Sequence, residues 1–134
     1  MADFNAREFF EFGTQIADAY GSSSAYRTAI GRAYYACFLI GRDAISRKGW
    51  FSPSGRSDDH SAVRRTLSEH GPGGVSDKLR DLNEMREHAD YHTRSEQACR
   101  YCQSTDGNSW QRAQVIASDI LPKLEAINPT EQSG

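Results

Sequence analysis

A chain of 134 residues has the length of one ordinary domain, and 37% apolar, 10% aromatic and 25% charged residues suffice for a core and do not describe a disordered chain. The net charge of −2 excludes the overall electrostatic footprint of a nucleic-acid binder, and the longest apolar run, Ala33 to Ile40, is far short of the ~20 residues of a membrane span. The opening MADFNAREFFEFG has acids where a secretion signal is basic, so a cytoplasmic protein is expected, and cysteines only at 37, 99 and 102 argue against a disulfide framework.

Charge is spread unevenly. Residues 1–20 net −3, residues 21–65 net +5 and the remainder −4. A basic middle of this kind either faces an anion or pairs with the acidic ends of its own fold. Thirteen of the sixteen basic residues are arginines, the side chain suited to bidentate phosphate contacts.

Glycine- and serine-rich breaks divide the chain into five segments of helical periodicity and none of strand character. The first, about Asn5 to Tyr20, spaces Phe9, Phe12, Ile16 and Tyr20 along one face, with Asn5 and Glu8 as a capping box. The second, from the serines at 22–24 to about Arg47, is the longest and the expected centre of the core, with Ala29, Ile30, Ala33, Tyr34, Cys37, Phe38 and Ile45 on one broad face. Gly31 and Gly41 suggest close approach of another helix. The third runs from about Asp58 to His70, the fourth from Ser76 as N-cap to about His92, and the fifth from about Ser109 to Ile127, with Pro122 expected to kink its end. These readings predict an all-α, four- to five-helix up-and-down bundle over residues 1–128 with a flexible tail at 129–134.

The fourth segment carries the residues of greatest chemical interest. On a wheel of about 100° per residue, Leu79, Leu82, Met85 and Ala89 define a buried stripe; Arg86 and His92 flank it on its two sides, and His88 points more nearly to solvent. An arginine so close to a core face must be paired, must snorkel, or must face an interface that binds something anionic. Asp81, Glu84 and Asp90 are the candidate partners.

Three stretches, GRAYYACFLIGRDAI, DDHSAV and LNEMREHADYH, in that order and spacing, resemble the HEPN superfamily (higher eukaryotes and prokaryotes nucleotide-binding) over about Tyr26 to His92. The resemblance implies a four- or five-helix bundle, commonly a dimer, and for many members a metal-independent endoribonuclease of toxin–antitoxin, CRISPR-linked or phage-defence systems. The family's catalytic motif, an arginine followed four to six residues later by a histidine with a polar residue after the arginine, falls on Arg86, His92 and Glu87. An antitoxin or a nucleotidyltransferase is then the expected partner, although Arg94 stands where regulated relatives have a modifiable tyrosine. Arg64 and Arg65 also precede His70 at motif spacing, but position in the family pattern selects Arg86 and His92. The alternative implied by the same family is a non-catalytic module that binds a nucleotide or a protein partner.

Residue chemistry fits such a reaction. Without a metal, RNA is cut when a base takes the proton of a 2′-hydroxyl, the oxygen attacks the adjacent phosphate and the leaving 5′-oxygen is protonated. Histidine titrates in the right range for either transfer, and arginine neutralises charge on the transition state. One of each per protomer makes a thin site, so a homodimer bringing two of each together is expected. His60 sits where the family pattern also has a histidine, either as a capping and packing residue or as a catalytic or base-contacting one. Tyr34, Tyr35 and Tyr91 suit core, interface or base stacking, and Arg32 is placed to reach Asp90 as a buried pair. Cys99 and Cys102 with His88 and His92 form a zinc-competent set whose order departs from the usual finger, so no metal or cofactor is expected.

Overall fold

Gly21 and Ser22 stop one helix and start the next. Gly21 adopts a left-handed φ of 56° and its N–H closes on the Ala17 carbonyl, ending α1 (Arg7–Tyr20). Ser22 is extended and its hydroxyl accepts from the Ala25 N–H at 3.2 Å, opening α2 (Ser23–Arg47). Beyond it lie α3 (Asp59–His70), α4 (Val75–Tyr91) and α5 (Asp106–Ile127). The computed structural model describes residues 5–91 and 106–127, with Asp90, Tyr91 and Asp106 given by backbone alone; among these there is no strand, and the protein is an all-α bundle. None of the described helices is long and apolar enough to cross a membrane.

Three expected helix starts are corrected. The Asn5 side chain accepts from the Arg7 N–H at 3.0 Å in an Asx turn, so the capping box with Glu8 does not form and α1 begins at Arg7. Ser76 lies inside α4, which begins one residue earlier; its hydroxyl donates to the Arg64 carbonyl at 2.8 Å and ties α4 to α3. The fifth helix begins at Asp106, three residues before Ser109, and continues past Pro122 to Ile127, although Pro122 offers no N–H to the carbonyl one turn before it. At α3, Asp59 rather than Asp58 organises the approach: its carboxylate accepts from the Ser54 hydroxyl at 2.7 Å and from the Ser54 and Gly55 N–H groups, bonds that hold it below the usual carboxylate range.

α2 touches all four other helices, most extensively α1 and α5. Ala29, Ala33, Ala36 and Ala44 are buried on it beside Ile30, Tyr34, Cys37, Phe38 and Ile45, and short side chains on several faces let neighbours come close. At Gly41 a methyl group would lie 3.2 Å from Leu124 of α5, confirming the expected close approach there. A second close approach, at Gly13 of α1, has no precedent in the segment pattern: a methyl there would lie 3.0 Å from Arg32 Cβ and 3.2 Å from Ala29 Cα. Two ion pairs, Arg7–Glu125 at 3.0 Å and Lys78–Asp119 at 2.6 Å, join α1 and α4 to α5 without drawing on the basic middle of the chain.

The two glycines facing α2's contacts should respond oppositely to alanine. Gly13→Ala gains about 1 kcal/mol of helix propensity but must push against Ala29 backbone, which typically costs 1–3 kcal/mol, so it should destabilise the fold by about 1 kcal/mol. At Gly31 the nearest atom to a new methyl is Arg86 Cγ at 4.0 Å, an ordinary contact, and Gly31→Ala should stabilise by about 0.5–1 kcal/mol. Urea unfolding midpoints of the two variants check both signs.

Candidate functional site

The site assembles where α3 and α4 meet one stretch of α2. Tyr34 and Tyr35 leave α2 as neighbours, their rings edge-to-face with centroids 5.2 Å apart; Tyr34 is fully buried and Tyr35 partly so. Over this pair lies Arg86 of α4, its guanidinium carbon 5.3 Å from the Tyr34 ring centre and 5.5 Å from that of Tyr35. Gly31 leaves space for its stem. Its Nη2 and Nε donate to Asn83 Oδ1 at 2.8 and 3.2 Å, one turn back on the same helix, and Glu87 Oε2 stands 3.7 Å from Nη2. Only 11% of the Arg86 side chain is exposed, against 54% for Glu87. The arginine near the buried stripe is thus held by an amide and two aromatic faces, with an exposed carboxylate at its edge. Asn83, three residues before it, is a partner that the candidates Asp81, Glu84 and Asp90 did not include; the Asp90 side chain lies outside the described residues.

His60, at the start of α3, enters the same cluster. Its ring stacks on Phe38 at 4.2 Å with 11° between planes, and its Nδ1 lies 2.5 Å from the Tyr34 hydroxyl. Burial pushes the Tyr34 hydroxyl well above its usual range, so it keeps its proton and, having no water to meet, donates it to Nδ1. That places the imidazole proton on Nε2. Burial, then the charges of Arg86 and Arg64, lowers the His60 pKa from 6.5, so the ring is neutral at pH 7.

Arg64, one turn after His60 on α3, completes the cluster. Its charge acts on both Tyr34 and His60, and its Nη1 is buried with no hydrogen-bond partner among the described residues. The sequence had weighed Arg64 only for its distance from His70. His70 is about 15 Å further along α3 than His60 and stacks on Trp50 with centroids 5.1 Å apart, so that motif match is a coincidence of spacing.

Other expected residues sit elsewhere. Arg32 is turned to α1, its guanidinium carbon 5.2 Å from the Phe9 ring centre, and Arg27 instead reaches the last turn of α4, donating to the Ala89 carbonyl at 3.2 Å. His88 is buried at 6% exposure rather than directed to solvent, because α2, α3 and α5 all pack on α4 and widen its buried arc beyond one stripe. Asp90 and Tyr91 close α4. His92, Cys99 and Cys102 lie outside the described residues, and with them the zinc-competent set; among the described residues no group of three or more His, Cys, Asp or Glu side chains could hold a metal ion.

Two cations, a neutral imidazole and two tyrosine rings make an arrangement suited to an anion that carries or adjoins a flat ring. No family model matches the chain, and no curated protein or solved structure matches it significantly.

Tyr34→Phe should keep the packing and remove the proton donated to His60, lowering stability by about 1 kcal/mol and moving the His60 midpoint, read by NMR, toward 6.5. In the intact protein the depressed pKa means that the unfolded chain binds this proton more readily. The stability it represents is complete above pH 6.5 and is lost as pH falls toward the folded midpoint, an effect that His60→Gln should abolish in urea titrations at pH 5 and 7.

Proposed function

We propose that this protein is a metal-independent endoribonuclease of HEPN type, a toxin-like effector that cleaves RNA in the cytoplasm and works as a homodimer. The observation that carries the reading is Arg86, a nearly buried guanidinium braced by Asn83 and by Tyr34 and Tyr35, in the helix position that the resemblance assigns to phosphate. His92 is the next residue in sequence after Tyr91, the last described residue of α4.

In this mechanism His92 accepts or returns the proton in the transfer from the 2′-hydroxyl to the leaving 5′-oxygen, and Arg86 neutralises charge on the phosphorane-like transition state. Glu87 and Asn83 orient Arg86. A two-fold dimer through α2 and α4 brings a second Arg86 and a second His92 into the cleft, one pair serving each proton transfer. An antitoxin or nucleotidyltransferase encoded beside such an effector restrains it.

His92→Ala should reduce RNA cleavage by about 10²–10⁴-fold with helix content and melting unchanged. Arg86→Ala should abolish cleavage and also lower stability, since Asn83 loses its donor and the tyrosine faces lose their cation. Products should end in a 2′,3′-cyclic phosphate, chelators should have no effect, and DNA, lacking the attacking hydroxyl, should stay intact. Denaturing gels of structured and single-stranded RNAs with wild type and both variants decide the matter: cleavage that survives His92→Ala, or that a chelator stops, rules this mechanism out.

A further inference from the structure

Arg64 stands apart from every other arginine contact described above. Arg7 meets a carboxylate, Arg27 a helix carbonyl, Arg32 an aromatic face and Arg86 an amide, whereas Arg64 Nη1 is buried without an acceptor among the described residues. A buried donor on a charged group left without a partner is costly and calls for an explanation, and a bound anion is one that would satisfy it. The next residue, Arg65, is exposed.

Two other donors share the surroundings of Tyr34 and His60 with Arg64. His60 precedes it by one turn, with Nδ1 occupied by the Tyr34 hydroxyl and its proton on Nε2, the opposite edge of the ring, which meets no other group among the described residues. Arg86 lies across the tyrosine pair, and the charges of both arginines reach Tyr34 and His60. Two carboxylates lie nearby among the described side chains, Asp59, bonded to Ser54 and Gly55, and the exposed Glu87. Neither of these carboxylates meets Arg64 Nη1.

We propose that Arg64, Arg86 and the Nε2–H of His60 form a phosphate-binding site within a single protomer, with Tyr34 fixing the imidazole as a donor and Tyr35 flanking the bound group. The inference rests on the same cluster as the ribonuclease reading, but it needs neither His92 nor a second subunit. Its ligand is a phosphate group, carried either as the terminal phosphate of a nucleotide or as an internal diester of RNA.

The test measures binding, so it stands or falls apart from cleavage. The intact protein is titrated with inorganic phosphate, with uridine 5′-monophosphate and with a 2′-deoxy dinucleoside monophosphate that has no terminal phosphate and cannot be cut. Imidazole NMR shifts and melting temperature are the readouts. Saturable binding should raise both the His60 midpoint and the melting temperature. Arg64→Met, which keeps the packed stem, should weaken binding at least tenfold while leaving the melting temperature of the unliganded protein unchanged or higher; Arg65→Met should change binding less than twofold. Preference for the monophosphate over the dinucleotide assigns a terminal phosphate, and the reverse assigns an internal diester. Absence of saturable His60 shifts with all three probes, or equal weakening by Arg64→Met and Arg65→Met, overturns the site. A melting temperature lowered by Arg64→Met together with unchanged binding makes Arg64 a structural residue and overturns it as well.

Discussion

The contact of α2 with every other helix is the constraint on which the rest of the bundle depends. A helix surrounded in this way cannot present large side chains on all faces, because neighbouring axes would be forced beyond the usual 8–10 Å. Alanines at 29, 33, 36 and 44 and a glycine at 41 meet that demand, leaving Tyr34 and Phe38 as the buried aromatic rings beside Ile30 and Ile45. Both large rings are turned to the region where α3 and α4 supply polar partners. The candidate site lies where α2 carries these rings.

Electrostatics at that place are internally coupled. A buried phenol needs an acceptor, and a neutral imidazole provides one; two guanidinium groups nearby discourage protonation of that imidazole and so preserve the bond. Arg86 lies against the faces of both tyrosines, where the ring quadrupole attracts a cation without itself carrying charge.

The five helices were legible because their periodicity and their breaks agree: Gly21 and Ser22 act as their residue types suggest, and the buried stripe of Leu79, Leu82, Met85 and Ala89 is where the wheel put it. Errors arose where a residue's role depends on a third element. His88 was read from one helix alone, and three helices bury it. Arg32 was assigned to Asp90, whose side chain lies outside the described residues, yet the Gly13 contact brings α1 over it and its guanidinium faces the Phe9 ring. Within the site, Arg86 drew notice by its place on the wheel, and His60 by its pattern. Arg64 escaped because its significance lies in what it lacks, which no single helix reveals, although the spacing of His60 and Arg64 by one turn was there to be read.

A guanidinium with one nitrogen buried and unpartnered, as in Arg64, also bears on selection. Replacement of Arg64 by methionine or leucine requires few nucleotide changes and fills the same volume, so drift alone would favour the apolar residue in any lineage for which the charge has no task. Tyr34, held by the core as much as by His60, would persist through such a loss. Among descendants of a common ancestor, the identity of this one position should then divide those that retained an anionic ligand from those that kept only the scaffold.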